Sequence, residues 1–159
     1  MSYDIYKYIC PIGDIICIFA GPFLVEIDIG SQTVKSAVMP LPACRLRTEL
    51  DAYFSGKIRA FRQRIKFIIG TAFEQKVWTA LEEIPYGETR SYSWVAEVAE
   101  RPKAFRAVGQ ALKKNPLPII LPCHRVIASD GSPGGYSRGV TIKEWLLRHE
   151  KTSHQLPAK

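Results

Sequence analysis

Three prolines within seven residues, Pro116, Pro118 and Pro122, constrain this chain more than any other feature. Proline lacks a backbone N–H and its ring collides with the preceding helical turn, so no helix can run through this stretch. The residues between them, Leu117, Ile119, Ile120 and Leu121, are apolar. The pattern predicts a buried, extended segment that delivers the next residue, Cys123, to a fixed place. His124 and Arg125 follow directly. A thiol at neutral pH is mostly protonated, and it attacks only where a base or a positive charge favours the thiolate. Neighbours on an extended strand point to opposite faces, so a Cys123–His124 contact needs a turn or a bridging water.

The surroundings are basic. Between Glu100 and Asp130 there is no acidic residue, yet Arg101, Lys103, Arg106, Lys113, Lys114 and Arg125 all fall there, within a chain of net charge +7. An anionic partner fits that balance. A second cluster, Lys57, Arg59, Arg62, Arg64 and Lys66, alternates with apolar residues and reads as the solvated face of a strand. The longest apolar runs are far too short for a bilayer, and the first residues carry no basic-then-apolar leader. The expectation is a cytoplasmic protein (nuclear in a eukaryote) with no membrane partner. Cys10, Cys17 and Cys44 form no Cys-x-x-Cys pair, and His124, His149 and His154 lie far from them. Those three cysteines therefore read as small buried hydrophobes, with no metal site expected.

Along the chain, Tyr3–Cys10, Asp14–Phe19 and Phe23–Ile29 read as strands, punctuated by Pro11-Ile12-Gly13 and Gly21-Pro22. Pro40 to Pro42 reads as a loop, Arg47–Phe54 as a helix stopped by Gly56, and Ala60–Ile69 as a further strand. Beyond Gly70, Phe73, Val77, Trp78 and Leu81 recur at helical spacing from about Thr71 to before Pro85. Ser91 suits the N-cap of a second helix, and Ala104–Lys114 forms a third that ends at Asn115-Pro116. Two short helices joined by a tight turn, the second basic, outline a helix-turn-helix, although any lysine-bearing helical hairpin would look alike. The expected class is α+β: an N-terminal sheet-plus-helix lobe over 1–70, a mainly helical domain over 71–153, and a tail over 154–159. Residues alone thus support a reactive cysteine in a basic setting and leave its substrate open.

Pro122-Cys123-His124-Arg125-Val126 resembles the active-site motif of the O6-alkylguanine-DNA alkyltransferases, the methylated-DNA–protein-cysteine methyltransferases. The resemblance runs from Phe73 to about Glu150. It takes in Val77-Trp78, Ile84-Pro85-Tyr86-Gly87-Glu88, Ser91-Tyr92, Arg106-Ala107-Val108-Gly109, Asn115-Pro116, Gly135-Tyr136 and the run from Lys143 to Glu150. It implies an RNase H-like N-terminal lobe and a winged-helix-like C-terminal one, and it implies direct-reversal DNA repair. The chain would bind duplex DNA through the minor groove as a monomer. It would flip out O6-alkylguanine, chiefly O6-methylguanine, and keep the alkyl group on Cys123, one lesion per molecule.

By that resemblance His124 would be the base acting through a water, and Glu150 would orient its imidazole. Tyr136 would donate to guanine N3, and Asn115 would brace the cysteine turn. Arg106 would fill the space left by the nucleotide, and Tyr92 would press on the 3′ phosphate. Ser91, Ala107, Gly109 and Arg125 would contact DNA, with Ala107, Gly109 and Ala111 small enough for close approach. Tyr136, Ser137, Val126 and Trp78 would line the guanine pocket. No cofactor is required. Arg138 departs from the family, many of whose members have a second small residue in the stretch after Tyr136-Ser137; its side chain is expected at the pocket rim, narrowing access for bulky adducts or adding a phosphate contact. Glu150 alone would read as a surface carboxylate at the end of a helix whose apolar stripe is Ile142, Trp145, Leu146 and His149. Three rival readings remain: a non-catalytic alkyltransferase-like reader, which would lack the cysteine; an alkylation-sensing transcription factor; and a cysteine hydrolase, which would turn over.

Overall fold

The computed structural model describes residues 2–30 and 41–155, and they fall into two compact units divided between Ile68 and Ile69. In the first, β1 (Asp4–Cys10), β2 (Gly13–Ala20) and β3 (Phe23–Ile29) form an antiparallel meander. Its register pairs Tyr6 with Cys17 and Cys17 with Ile27, and a bulge lies at Ile18/Phe19. Alternation places Ile15, Cys17, Phe19, Leu24 and Ile27 in the core. Helix α1 (Leu41–Phe54) buries Ala43, Leu46, Leu50 and Tyr53, a stripe at helical spacing. The Tyr8 hydroxyl donates to Asp51 at 2.7 Å.

Three expectations are corrected in this unit. Helix α1 begins before Arg47, and Pro42 sits in its first turn, where a missing N–H costs nothing; Pro40 lies outside the described residues. No strand forms over Ala60–Ile69; only Ile65 bridges to Leu24. The Glu49 carboxylate accepts the Arg62 and Gln63 N–H groups at 2.8 and 3.2 Å, and so takes donors that a strand would offer to a neighbour. The cations of the cluster, Lys57, Arg59, Arg62, Arg64 and Lys66, are exposed. Of the three cysteines read as buried, only Cys17 is; Cys44 is exposed on α1, and Cys10 is half-buried at a strand end, donating to Gly13.

The second unit is built from α2 (Ala72–Ala80), a 3-10 turn (Leu81–Glu83), β4 (Arg90–Ser91), α3 (Tyr92–Val98), α4 (Phe105–Lys113), β5 (Val126–Ile127) and α5 (Val140–Gln155). Thr71 and Glu74 close a capping box on α2. Gly70 allows the chain to enter: a Cβ there would lie 2.5 Å from the Trp78 ring, and its φ of +95 belongs to glycine. Ser91 caps α3 through the Trp94 N–H at 3.1 Å. β4 pairs in parallel with β5, which ties the start of α3 to the residues following Cys123. The stripe expected on α5 is turned by one residue. Lys143, Leu146 and Glu150 are its buried positions, while Trp145 and His149 stack on each other 5.0 Å apart. α5 continues through His154 and Gln155, where a tail was expected; residues 156–159 lie outside the described residues. No helix among the described residues is long and apolar enough to cross a membrane.

Candidate active site

The proline-framed segment is buried, but it is a succession of turns and not one extended strand. Leu121 N–H returns to the Leu117 carbonyl at 2.8 Å, and Ile119 takes φ +75, a strained value for a β-branched residue. Asn115 holds this loop from inside: its Nδ2 donates to the Leu121 carbonyl at 2.9 Å, and its Oδ1 accepts the Leu117 N–H at 3.0 Å. Cys123–Arg125 then forms a 3-10 turn, closed by Arg125 N–H on the Pro122 carbonyl at 3.0 Å. The turn buries Cys123, His124 and Arg125 together, an outcome that a strand would forbid.

Glu150, which could have been a surface carboxylate, is 1% exposed and organises the site. His124 Nε2 lies 2.7 Å from its Oε1. Arg125 donates to it through Nε (2.8 Å) and Nη2 (3.0 Å), while Nη1 donates to the Ile84 carbonyl at 2.7 Å. Burial alone would raise the Glu150 pKa, but His124 and Arg125 outweigh it and hold the carboxyl well below its usual range. An ionised carboxylate only accepts, so His124 Nε2 is the donor and Nδ1 keeps its lone pair. Nδ1 is buried with no hydrogen-bond partner among the described residues. Burial lowers the His124 pKa against the pull of Glu150, which favours the neutral imidazole. A neutral base ready to take a proton is thus held in one tautomer.

Burial raises the Cys123 pKa, while Asn115, the Lys143 charge and Tyr136 act in the opposite sense. Lys143 was not foreseen as a site residue. It is 1% exposed, and its Nζ donates to the Val126 carbonyl at 2.6 Å and to Gly135 at 3.3 Å. It therefore bridges the strand after the cysteine to the Gly135–Ser137 loop, and burial lowers its pKa to about 8. Its signal in the sequence was its place three residues before Leu146 and seven before Glu150, on one helical face. The Tyr136 hydroxyl is buried beside the cysteine, and burial pushes its pKa well up, so it stays a proton donor.

Cys123 opens on a cavity of about 310 Å³, at the small end of ligand sites. Tyr92, Phe105, Arg106, Gly109, Tyr136 and Ser137 are among its walls. Arg106 and Ala107 are exposed on α4. Tyr92 is half-buried and packs on Gly134, where a Cβ would come within 2.7 Å of its hydroxyl. Burial, followed by Cys123, raises its pKa.

Several expected placements are corrected. Arg125, expected on the DNA-contacting surface, is buried; its guanidinium is enclosed by Glu150 and Ile84 and lies 5.6 Å over the Tyr86 ring. Trp78 is fully buried between α2 and α4, its Nε1 donating to the Ala111 carbonyl at 2.8 Å, and does not line the cavity. Val126 is likewise buried and outside the lining; its carbonyl, not its side chain, serves the site. Ala111 points into the core and not into a groove, and half-buried Arg138 is not among the cavity walls. The Ser91 hydroxyl is engaged as the cap of α3. No group of three or more metal-binding side chains occurs among the described residues.

Comparison with known proteins follows the same residues. The family model described as "6-O-methylguanine DNA methyltransferase, DNA binding domain" matches residues 72–152. A methylated-DNA–protein-cysteine methyltransferase of Methanosarcina barkeri is 51% identical over 105 residues, covering 66% of this chain and 66% of that protein, just under two thirds of its length. One of Mycobacterium leprae is 44% identical over 151 residues, covering 92% of this chain and 90% of the relative. A crystal structure of Mycobacterium tuberculosis OGT in complex with DNA superposes with a TM-score of 0.85 at 39% identity, covering 96% and 94% of the two chains.

Proposed function

Because the chain belongs to the methylated-DNA–protein-cysteine methyltransferase family, we propose that it repairs DNA by direct reversal, moving the alkyl group of O6-alkylguanine, chiefly O6-methylguanine, onto Cys123. Duplex DNA would lie with its minor groove on α3 and α4, whose exposed Arg106 and Ala107 and half-buried Tyr92 and Gly109 face outward or into the cavity. The damaged nucleotide rotates out of the stack and its base enters the cavity, at a cost of a few kcal/mol in lost stacking. Arg106 fills the vacancy and Tyr92 presses on the flanking phosphate.

In the transfer, the Cys123 proton passes through a water to His124 Nδ1. Sγ attacks the alkyl carbon, the carbon–O6 bond breaks and a thioether forms. Charge that gathers on the departing guanine is met by the Tyr136 hydroxyl at N3, while Ser137 and its neighbours read the base edge. Glu150 holds the imidazole, Arg125 neutralises Glu150, and Asn115 and Lys143 fix the loops on which the reacting groups stand. A thioether has no simple hydrolytic return, so each molecule acts once. Nucleophile and leaving group are both present, so no cofactor is required. We assign both DNA binding and transfer to residues 71–153 of a monomer in the cytoplasm, with a winged-helix-like arrangement there. The N-terminal lobe, RNase H-like by family, serves as support.

What carries this reading is one observation: a buried thiol at the wall of a base-sized cavity, next to a histidine whose far nitrogen is locked to a buried carboxylate. The test is a titration of the protein against a duplex bearing O6-methylguanine. Demethylated product should stop accumulating at one per protein molecule. Continued turnover would favour a hydrolase, and tight binding without product a non-catalytic reader.

A further inference from the structure

Phe105 is a large apolar side chain left 50% exposed, at the first position of α4. It lines the cysteine cavity together with Arg106 and Tyr92. It also borders a second groove of about 290 Å³, formed with Ser91, Tyr92, Ser93, Ala128 and Ser129. Phe105 is therefore a ridge between the cavity that would take the flipped base and an open groove beside it. Residues further along α4 that face outward are small or polar: Arg106, Ala107, Gln110 and Lys113. Phe105 is the large apolar side chain on an outward face that is otherwise small or polar, and it adjoins the cation expected in the base stack.

Resting on the proposed repair reaction, we propose that Phe105 is a second, apolar wedge, which packs on the bases flanking the flipped nucleotide while Arg106 fills the space it vacates. An aromatic ring inserted at a base step partly unstacks it and replaces lost base stacking with stacking on the side chain. The ring leaves water on binding, which gives this exposed position its favourable change. The two side chains contribute differently: the ring gains by leaving water, whereas Arg106 enters the stack by cation–π contact and gives up hydration to do so. The wedge acts on duplex more than on single-stranded DNA, since only the duplex holds the nucleotide inside paired, stacked neighbours.

The experiment compares single-turnover methyl transfer from one O6-methylguanine oligonucleotide, as duplex and as single strand, by the native protein, Phe105→Ala and Phe105→Leu. Phe105→Ala should lower the duplex-to-single-strand rate ratio roughly tenfold, as loss of one stacking contact implies, and Phe105→Leu should retain part of it. In a Cys123→Ala background that cannot react, 2-aminopurine next to the lesion should brighten less when Phe105 is also replaced. An unchanged ratio overturns the wedge, as does an equal fall on both substrates, which would make Phe105 merely a cavity wall. If the native protein transfers nothing to either substrate, the repair reaction itself fails, and the 2-aminopurine response still decides whether Phe105 enters the stack.

Discussion

Replacing Glu150 by glutamine tests the clamp at the centre of the site. The carboxylate accepts from Arg125 Nε and Nη2 at 2.8 and 3.0 Å and from His124 Nε2 at 2.7 Å, and Gly87 N–H approaches at 3.4 Å. Glutamine has one acceptor oxygen and no charge, so Arg125 is left buried without its counter-ion. Breaking a buried pair in this way costs about 3–5 kcal/mol, and the lower figure is expected because an amide keeps part of the bonding. Glu150→Gln should therefore lose roughly 3 kcal/mol in urea unfolding. Its amide can also donate to His124 Nε2 and trap the wrong tautomer, which should slow transfer by roughly 100- to 10,000-fold.

The pH profile separates the two groups. Glu150 is held far below its unfolded value of about 4.3, so below that pH the unfolded chain binds a proton that the native state refuses, and stability falls on acidification. His124 is also lowered by burial, so stability falls as pH drops below about 6.5 for the same reason. Glu150→Gln should lose the first dependence and keep the second. A variant with native stability and a native transfer rate would refute the clamp.

Lys143→Met should leave the Val126 and Gly135 carbonyls unpaired, at about 1–3 kcal/mol. It should also shift the iodoacetamide reactivity of Cys123 to higher pH; an unmoved profile would count against the assigned role. Gly134→Ala forces a side chain to φ +70 and to within 2.7 Å of the Tyr92 hydroxyl. Strain of about 1–3 kcal/mol and weaker duplex binding should appear, measured by thermal unfolding and fluorescence anisotropy. Trp78→Ala should destabilise by about 3–5 kcal/mol, while transfer per folded molecule stays near native, since the ring is core and not pocket.

Local pattern carried much of the fold. β-branched alternation marks β1 to β3, and Thr71 and Ser91 cap α2 and α3 where short polar residues precede apolar periodicity. Ala60–Ile69 misled because the alternation is real while two of its backbone donors, Arg62 and Gln63, are claimed by a distant carboxylate, Glu49, which no local window contains, and pairing with Leu24 is confined to the bridge at Ile65. The site was legible where a residue's chemistry is its role, as with Cys123 and His124. It was illegible where tertiary burial reassigns a charge. Arg125 reads as a surface cation until Glu150 encloses it, and Lys143 reads as solvent-facing until two carbonyls meet it inside the fold. Pro122 anticipated a rigid delivery of the thiol but not the 3-10 turn that buries His124 beside it.

The central claim is that the alkyl carbon ends on one sulfur. Native protein and Cys123→Ala, each incubated with an excess of O6-methylguanine duplex, should be weighed intact and then mapped by peptide. The account predicts that the native chain gains a single methyl group, located on Cys123, and that the variant gains none. A methyl on Cys10, Cys17 or Cys44, or a native mass unchanged while the lesion disappears, would contradict it.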